Sequence, residues 1–268
     1  MQMQLTGKRA LVTGSSSGIG RAIAEMLASE GVEVIVHGRD AERSRCAMEA
    51  IMADGGKAHC VLGDLATAQG AEQVIEQVNA LGGVDILVNN IGGAVSMANT
   101  SWFDDRPEDW AQSCQQNLIA AVRLIHAFTP AMKERGWGRV IQISSRNAIS
   151  PHADLSSYGA AKAALNNLTL SLSKALAGTG VTSNGIMPGL IATPQLDGWF
   201  LELARKQGVG DDLDAGKQFA LKNVIRQTVD RLGRPEDVAG LVCYIASPRS
   251  DFMTGTTIRM DGGSTPTV

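Results

Sequence analysis

The chain has 268 residues, and 44% of them are hydrophobic, which is enough to build the core of one large α/β domain. Its 24 Lys and Arg against 27 Asp and Glu give a formal charge of -3, so no basic excess favours a nucleic-acid partner. No segment approaches the roughly 18 consecutive apolar residues that a membrane span needs, and no membrane partner is expected.

The positions of cysteine and histidine argue against two further kinds of site. Cys46, Cys60, Cys114 and Cys243 lie far apart and form no CxxC pair, so we interpret them as small buried side chains rather than disulfides. The four histidines lack metal-ligand spacing, and no metal is expected. The N terminus has no basic region followed by an apolar stretch and a cleavage site, so we expect a cytoplasmic protein.

Short β-branched runs alternate with segments of helical period in the N-terminal part of the chain. Ile19, Ile23, Met26 and Leu27 fall on one helical face, and Gly31 is placed to end that helix. Two more helices are predicted over about 41–53 and 68–80. Strands are predicted over 9–13, 33–37, 58–62 and 85–89.

The same alternation continues toward the C terminus. Helices are predicted over about 107–133, 157–177 and 235–246, with a proline suited to the first turn of the first and the last of them. Strands are predicted over 139–144, 181–186 and 256–260. This order predicts a doubly wound parallel sheet with helices on both faces, so we expect residues 1–268 to form a single three-layer α/β/α domain.

Residues from about 191 to 229 break the alternation, because they combine helical stretches with four glycines. Two interpretations remain open: a mobile lid over a substrate, or an ordinary surface insertion. Long irregular segments between regular elements are commonly functional, which favours the lid. Trp199 and Phe200 in this segment either cap an apolar substrate or pack in the core.

A glycine-rich turn joins the first strand to the first helix, and residues 13–20 read TGSSSGIG. Backbone N–H groups and the positive end of the helix dipole converge there, and glycine lets the backbone approach a pyrophosphate. A tight turn without a ligand is the alternative. The residues expected to hold a dinucleotide here are Gly14, Ser16, Ser17, Gly18, Ile19 and Gly20.

The end of the second strand indicates which dinucleotide is preferred. An acidic residue at this place would bind the ribose hydroxyls of NAD, but the chain has Gly38 followed by Arg39. A guanidinium pairs with a 2′-phosphate, which favours NADP(H) over NAD(H). Alternatively, Arg39 is a solvated surface residue and Asp40 reaches the ribose.

Tyr158 and Lys162 lie four residues apart and share a helical face, and Ser144 and Ser145 end the preceding strand. An ammonium near a phenol favours the phenolate, so we expect Lys162 to lower the pKa of Tyr158 and make it an acid or base. Hydride transfer to a carbonyl needs such a proton donor, and the Ser145 hydroxyl can hold the same oxygen. A solvated Tyr–Lys pair without a catalytic role is the alternative.

Taken together, these motifs resemble the short-chain dehydrogenase/reductase family in its compact single-domain form, and are similar to the 3-oxoacyl-[acyl-carrier-protein] reductases within it. Residues 13–20 match the TGxxxGxG turn of the family, residues 89–92 match its NNAG motif, and residues 188–189 match its PG motif. The segments 234–239, 254–255 and 261–263 also resemble family segments. The resemblance covers essentially the whole chain and implies a Rossmann-type fold.

The resemblance also implies roles for individual residues. Asn117, Ser145, Tyr158 and Lys162 match the catalytic tetrad, in which Lys162 also holds the nicotinamide ribose and Asn117 holds a water in a proton relay. Further cofactor contacts are implied for Asp64, Leu65, Asn90, Ile91, Gly92, Tyr158, Lys162, Pro188, Gly189, Ile191 and Thr193.

Three positions depart from the family pattern. Ile91 replaces the usual alanine of NNAG and adds bulk beside the cofactor, and Ser17 is not the basic residue of many NADP(H)-preferring relatives. Arg146 follows the catalytic serine, where it either recognises an anionic group or forms an outward salt bridge. The candidate substrate contacts are Arg146, His152, Leu155 and Trp199.

The predicted function is an NADP(H)-dependent oxidoreductase that interconverts a carbonyl and a secondary alcohol, with a 3-oxoacyl thioester as one substrate. An NAD-dependent alcohol, sugar or steroid dehydrogenase of the same family is the first alternative. A catalytically silent protein that senses NADP(H) is the second. By analogy with the family we expect a homotetramer, or a homodimer, built on the helices near 107–133 and 157–177.

Overall fold

The computed structural model describes residues 3–96 and 101–266. Within these ranges, seven strands form one parallel sheet. They are β1 (Arg9–Val12), β2 (Glu33–Gly38), β3 (Lys57–Leu62), β4 (Ile86–Asn89), β5 (Gly138–Ile143), β6 (Val181–Pro188) and β7 (Thr257–Met260). Their order in the sheet is β3-β2-β1-β4-β5-β6-β7, which confirms the prediction of a doubly wound sheet in a single domain.

Helices cover both faces of the sheet. In the described residues they are α1 (Gly18–Ser29), α2 (Ala41–Ala53), α3 (Ala68–Ala80), α4 (Pro107–Cys114), α5 (Ala120–Glu134), α6 (Ser156–Ala175), α7 (Asp197–Lys206), α8 (Leu213–Phe219) and α9 (Pro235–Ala246). None of the described helices is long and apolar enough to cross a membrane.

Alternate residues of each central strand enter different cores, which produces the three layers. In β1, Ala10 and Val12 pack toward α1, α2 and α9, whereas Leu11 packs toward α3, α5 and α6. Because both faces are buried, the strands are continuous apolar runs rather than alternating ones. β1 pairs with β2 on one side and β4 on the other, so the chain reverses direction across the sheet beside β1. Ligands of such sheets bind in the crevice at this reversal.

The helix predicted over 107–133 is present, but it is not α-helical throughout. α4 ends at Cys114, a π-helical turn spans Gln115–Ile119, and α5 begins at Ala120. A π turn inserts one residue without breaking the apolar face, so periodicity does not reveal it, and such turns are frequent at functional sites. Asn117 lies in this turn and donates from Nδ2 to the Ser113 carbonyl at 3.0 Å.

Residues 191–229 form a small helical unit with its own core. α7 packs against α8, and a Cβ on Gly216 would lie 1.9 Å from the Phe200 carbonyl oxygen, so the two helices cross in close contact. Phe200 is fully buried and its ring centroid lies 5.2 Å from that of half-buried Trp199. The base of the unit is attached to the domain by a bridge between Ile191 and Gly233. Motion of this unit as a lid stays a prediction.

Exposed apolar side chains lie on or beside the helices that were expected to form an interface. Phe103 and Trp102 precede α4 and are 86% and 49% exposed, and Leu170 on α6 is 46% exposed. A homo-oligomer that covers them stays a prediction.

Candidate active site

A cavity of about 490 Å³ lies at the carboxyl ends of β1, β4, β5 and β6. It brings together most of the residues predicted for the site, although they come from distant parts of the sequence. These are Gly14, Ser16, Ser17, Gly18, Ile19, Gly20, Arg39, Asn90, Ile91, Gly92, Ser145, Tyr158, Lys162, Pro188, Gly189, Ile191 and Thr193. The described lining carries cationic Arg39, Arg43 and Lys162 and no carboxylate, which suits an anionic ligand.

Seven predicted residues do not line this cavity: Asn117, Asp64, Leu65, Arg146, His152, Leu155 and Trp199. Leu65 is fully buried in the core beside α3, and the Asp64 carboxylate accepts the Ala66 N–H at 3.1 Å. His152 lines a separate surface cavity together with Trp102. Leu155 lies just before α6, on the loop that connects it to β5.

The turn between β1 and α1 depends on glycine for both its conformation and its packing. Gly14 and Gly18 have φ of +64° and +55°, values that other residues rarely adopt. A Cβ on Gly20 would lie 2.4 Å from the Gly14 carbonyl oxygen and 2.5 Å from Asn90 Nδ2. The first turn of α1 carries no acidic residue, and the Ser17 side chain does not cap it. The positive end of the helix therefore faces the cavity without a negative charge beside it.

Two side chains from β4 and β1 hold this turn. Asn90 Nδ2 donates to the Thr13 carbonyl at 2.8 Å, and Thr13 Oγ1 accepts the N–H groups of Asn90 and Ile91 at 2.9 and 3.0 Å. These bonds join the turn to the chain that follows β4, so both sides of the crevice keep a fixed separation.

His37 is a lining residue that the sequence analysis did not identify. The Gly14 N–H donates to its Nδ1 at 3.1 Å, so Nε2 carries the proton and donates to the Gly63 carbonyl at 3.1 Å. Burial lowers the pKa of His37 to about 4, which keeps the ring neutral. The imidazole thereby connects the glycine turn to the end of β3. The sequence feature that could have indicated this role is a histidine inside an otherwise apolar strand.

The end of β2 places two guanidinium groups at the cavity. Exposed Arg39 lines it, and so does Arg43 from the first turn of α2, which sequence reasoning missed. Asp40 does not line the cavity, because its carboxylate caps α2 by accepting the Arg43 N–H at 2.9 Å and Arg43 Nε at 3.0 Å. A Cβ on Gly38 would lie 2.3 Å from Ser44 Oγ, so a side chain here would require the buried Ser44 hydroxyl to move.

Buried polar groups converge beside Gly92. A Cβ there would lie 2.5 Å from Asn117 Oδ1 and 2.8 Å from Lys162 Nζ. Asn117 accepts the Gly93 N–H at 2.9 Å and donates to the Gly93 carbonyl at 3.0 Å. Lys162 is 2% exposed and donates to the Ile143 carbonyl at 2.8 Å.

The pKa of Tyr158 shifts opposite to the direction expected from its sequence spacing to Lys162. Burial raises the pKa of Tyr158, and the hydrogen bond with the Ser145 hydroxyl is what partly lowers it. Burial also lowers the pKa of Lys162, to about 8. Lys162 Nζ lies 5.8 Å from the centroid of the Tyr158 ring. The net shift is upward because burial is its largest cause, and a lowering of this pKa by Lys162 stays a prediction.

The helical unit of residues 191–229 contacts the glycine turn directly. Gln195 Nε2 donates to Ser17 Oγ at 2.6 Å, and both residues line the cavity from opposite sides. Thr193 lies next to Gly18, since a Cβ on Gly18 would be 3.5 Å from Thr193 Cγ2. Side chains of the segment that the sequence analysis predicted as a lid thus contact the turn at the edge of the cavity.

Comparisons with known proteins identify the family to which the chain belongs. A family model described as short chain dehydrogenase matches residues 8–202. The chain is 34% identical to the uncharacterized oxidoreductase YvaG of Bacillus subtilis over 98% of both chains.

Solved structures extend the likeness to the complete fold. An L-sorbose reductase from Gluconobacter frateurii, solved with NADPH and L-sorbose, is 32% identical with a TM-score of 0.93 over 100% of both chains. A 3-oxoacyl (acyl-carrier-protein) reductase from Agrobacterium tumefaciens, solved with NADP bound, is 36% identical with a TM-score of 0.86. That alignment covers 98% of this chain and 96% of the other.

Because folding keeps His37 neutral, we expect the protein to be less stable at acidic pH. The pKa of His37 falls from the usual 6.5 to about 4 on folding, so between these values the unfolded chain binds a proton that the folded chain does not. The free energy of unfolding should therefore decrease as pH falls through this window, by about 3 kcal/mol at most.

Urea unfolding from pH 7 to 4 measures this contribution. His37→Asn should be less stable at pH 7 but should show a shallower decrease, whereas His126→Asn on the exposed face of α5 should keep the native slope. Equal slopes in all three proteins would show that His37 does not titrate as its burial requires.

Proposed function

The chain belongs to the short chain dehydrogenase family and is an oxidoreductase of carbonyl and CH–OH groups, and from that premise we propose that NADP(H) is its cofactor. The observation that carries this choice is the pair Arg39 and Arg43 at the end of β2, where the chain has a glycine and no carboxylate lines the described cavity. A 2′-phosphate is the group of NADP(H) that guanidinium groups bind well. The two solved relatives with NADPH or NADP bound support the same choice.

The residues present fit a dinucleotide along the whole cavity. The glycine turn and the start of α1 would hold the pyrophosphate, and Asn90, Gly92, Pro188 and Gly189 would flank the nicotinamide half. When bound, NADPH supplies the hydride that the carbonyl carbon accepts. Reduction then requires one proton at the carbonyl oxygen, and this proton has to come from the protein.

Tyr158 is the proton donor in this proposal. Burial keeps its hydroxyl protonated, and its hydrogen bond with Ser145 places two hydroxyl groups where they can hold one substrate oxygen. Donors fixed in advance around a developing oxyanion stabilise the transition state more than mobile water does. Oxidation of an alcohol runs the same proton transfer in reverse.

Lys162 and Asn117 support Tyr158 in this proposal and help to return its proton after each reaction. Lys162, held by the Ile143 carbonyl, provides a positive charge that stabilises Tyr158 as it gives up its proton. Asn117 fixes the backbone at Gly93 through two hydrogen bonds and so keeps the chain after β4 beside Lys162. In the proposed relay, the proton returns to Tyr158 along this buried polar side of the site.

The two solved relatives are named for a keto sugar and an oxoacyl chain, so the shared fold does not select a substrate. A 3-oxoacyl thioester remains one candidate for this chain. Selectivity between substrates therefore depends on the side chains of this protein that surround the carbonyl group of the substrate.

Cofactor preference provides the first test. In a fluorescence titration, NADPH should bind more tightly than NADH, and Arg39→Ala should weaken NADPH binding roughly ten- to a hundredfold without changing NADH binding. Arg43→Ala should act in the same direction by a smaller factor, because its Nε is already bonded to Asp40.

Arg45→Ala is the matched control, since Arg45 is an exposed arginine of α2 that pairs with Glu49 and does not line the cavity. Equal or tighter binding of NADH to the native protein would contradict the assignment of NADP(H).

The chain has two tyrosines, which allows a matched test of the proton donor. Tyr158→Phe should lower kcat for carbonyl reduction roughly a hundred- to ten-thousandfold, because the phenol proton is lost, while the Kd of NADPH stays nearly unchanged. Tyr244→Phe on α9 should keep native kcat. Turnover that survives in Tyr158→Phe would remove Tyr158 from this role, and NADPH binding without any turnover in the native protein would favour the silent sensor.

In the same proposal, residues 191–229 act as a lid that the Gln195–Ser17 hydrogen bond keeps closed over the cofactor. Gln195→Ala should accelerate NADPH dissociation about fivefold in stopped-flow displacement, as expected for one lost hydrogen bond. Gln207→Ala, at an exposed position after α7, should leave this rate unchanged. An unaltered rate in Gln195→Ala would show that this contact does not retain the cofactor.

A further inference from the structure

Arg146 is the residue that follows Ser145, which carries one of the two hydroxyl groups proposed to hold the substrate oxygen. The Ser145 hydroxyl hydrogen-bonds Tyr158. A 3-10 turn holds the backbone of Arg146, because Ser145 Oγ accepts the Asn147 N–H at 3.2 Å and the Arg146 carbonyl accepts the Ser150 N–H at 2.9 Å. The direction of this side chain is therefore set by a short, internally bonded loop.

The guanidinium of Arg146 is half-buried and lacks a paired carboxylate. Among the described ion pairs within 4.0 Å, none includes Arg146, whereas Arg43 and Arg231 near the same end of the sheet each bind an aspartate. Its hydrogen-bond partner is His152, with Nη2 and Nε2 3.4 Å apart. Burial lowers the pKa of Arg146, and the attraction of Asp261 only partly opposes this shift.

Asp261 is already occupied by other donors. Its two carboxylate oxygens accept the N–H groups of Gly263 and Thr265 at 3.1 and 2.9 Å. A cation that is partly removed from water and has no close counter-ion is unfavourable in the free protein. An anion that reached Arg146 would remove this cost.

The position of Asp261 also locates the guanidinium relative to the cavity. Asp261 packs against Gly189, since a Cβ on Gly189 would lie 2.7 Å from Asp261 Cα. Gly189 and Ser145 both line the cavity. Arg146 does not itself line the cavity, but it follows Ser145 in the chain, so its backbone lies beside the end of the cavity formed by Ser145 and Tyr158.

We propose that Arg146, supported by His152, binds an anionic group of the substrate, and that the substrate is a carbonyl compound with a carboxylate or phosphate a few bonds from the carbonyl. This inference rests on the proposed function, because it places the anion relative to Tyr158 and Ser145. A guanidinium presents parallel N–H donors that match both kinds of anion. His152 accepts one N–H of Arg146 and leaves the remaining donors for the ligand.

Matched substrates test the proposal directly. Straight-chain oxo acids that differ in the distance between carbonyl and carboxylate are compared with their methyl esters, and dihydroxyacetone phosphate with dihydroxyacetone, each with NADPH. The native enzyme should prefer the anionic member of at least one pair by roughly ten- to a hundredfold in kcat/KM. The best pair identifies which anion and which spacing fit.

Variants at the same position assign the preference to Arg146. Arg146→Gln should raise KM for the anionic substrate and leave kinetics with its neutral partner nearly unchanged, and Arg146→Lys should restore part of the preference. Arg45→Gln, the exposed control on α2, should behave as the native enzyme. Added salt should weaken the native preference and have little effect in Arg146→Gln, because screening acts on the ion pair.

Two outcomes would overturn the proposal. Equal kcat/KM for every anionic and neutral pair would exclude an anion-binding group, and a preference that persists in Arg146→Gln would assign it to another residue. These results differ from a failure of the proposed function, in which NADPH does not bind or neither member of any pair is reduced.

Discussion

The start of α1 lies against the end of β1 at a separation that only glycine allows, and the site is arranged around this contact. A side chain at Gly20 would collide with the Gly14 carbonyl and with Asn90. The close approach brings the start of α1, the positive end of its dipole, to the crevice between β1 and β4. It also creates polar backbone groups that need partners, and Thr13, Asn90 and His37 provide them. These three side chains join β1, β4, β2 and, through Gly63, the end of β3. The anion-binding turn is therefore rigid because its supports lie in the sheet.

A second constraint is the desolvation of the proposed catalytic groups. Burial opposes the charged forms of both Tyr158 and Lys162, since it raises the pKa of the phenol and lowers that of the ammonium. A protonated phenol is the form that carbonyl reduction consumes. The same low-dielectric surroundings strengthen the attraction between Lys162 and a phenolate once the proton leaves. Burial of Lys162 is therefore unfavourable before the reaction. The same burial strengthens its attraction to the negative charge that develops on Tyr158 as the proton leaves.

Much of the fold was predictable because strand and helix periodicities are local properties of the sequence. The predicted strands and most helices agree with the structure to within two residues, and the bounds 41–53, 68–80 and 235–246 match α2, α3 and α9. The π turn at Asn117 was not predictable, because an extra residue leaves the apolar face intact on either side. His37 and Arg43 were missed for a different reason. Their placement depends on contacts across strands and on the capping of α2 by Asp40, which no local pattern encodes.

The charge of the site contrasts with that of the whole protein. The chain carries a formal charge of -3, yet the described cavity lining presents Arg39, Arg43 and Lys162 without a carboxylate. Two nearby aspartates do not line the cavity and have other partners: Asp40 accepts from the start of α2 and from Arg43, and Asp261 accepts from the backbone after β7. Arg39 and Lys162 have no such ion pair among the described residues, so they supply most of the positive charge at the crevice. A positive cavity in a negative protein concentrates anions at one place and repels them elsewhere, which raises the rate at which an anionic dinucleotide finds its site. In the proposed role of Arg146, a further cation follows Ser145 in the chain, so the same positive field would attract an anionic substrate and the cofactor.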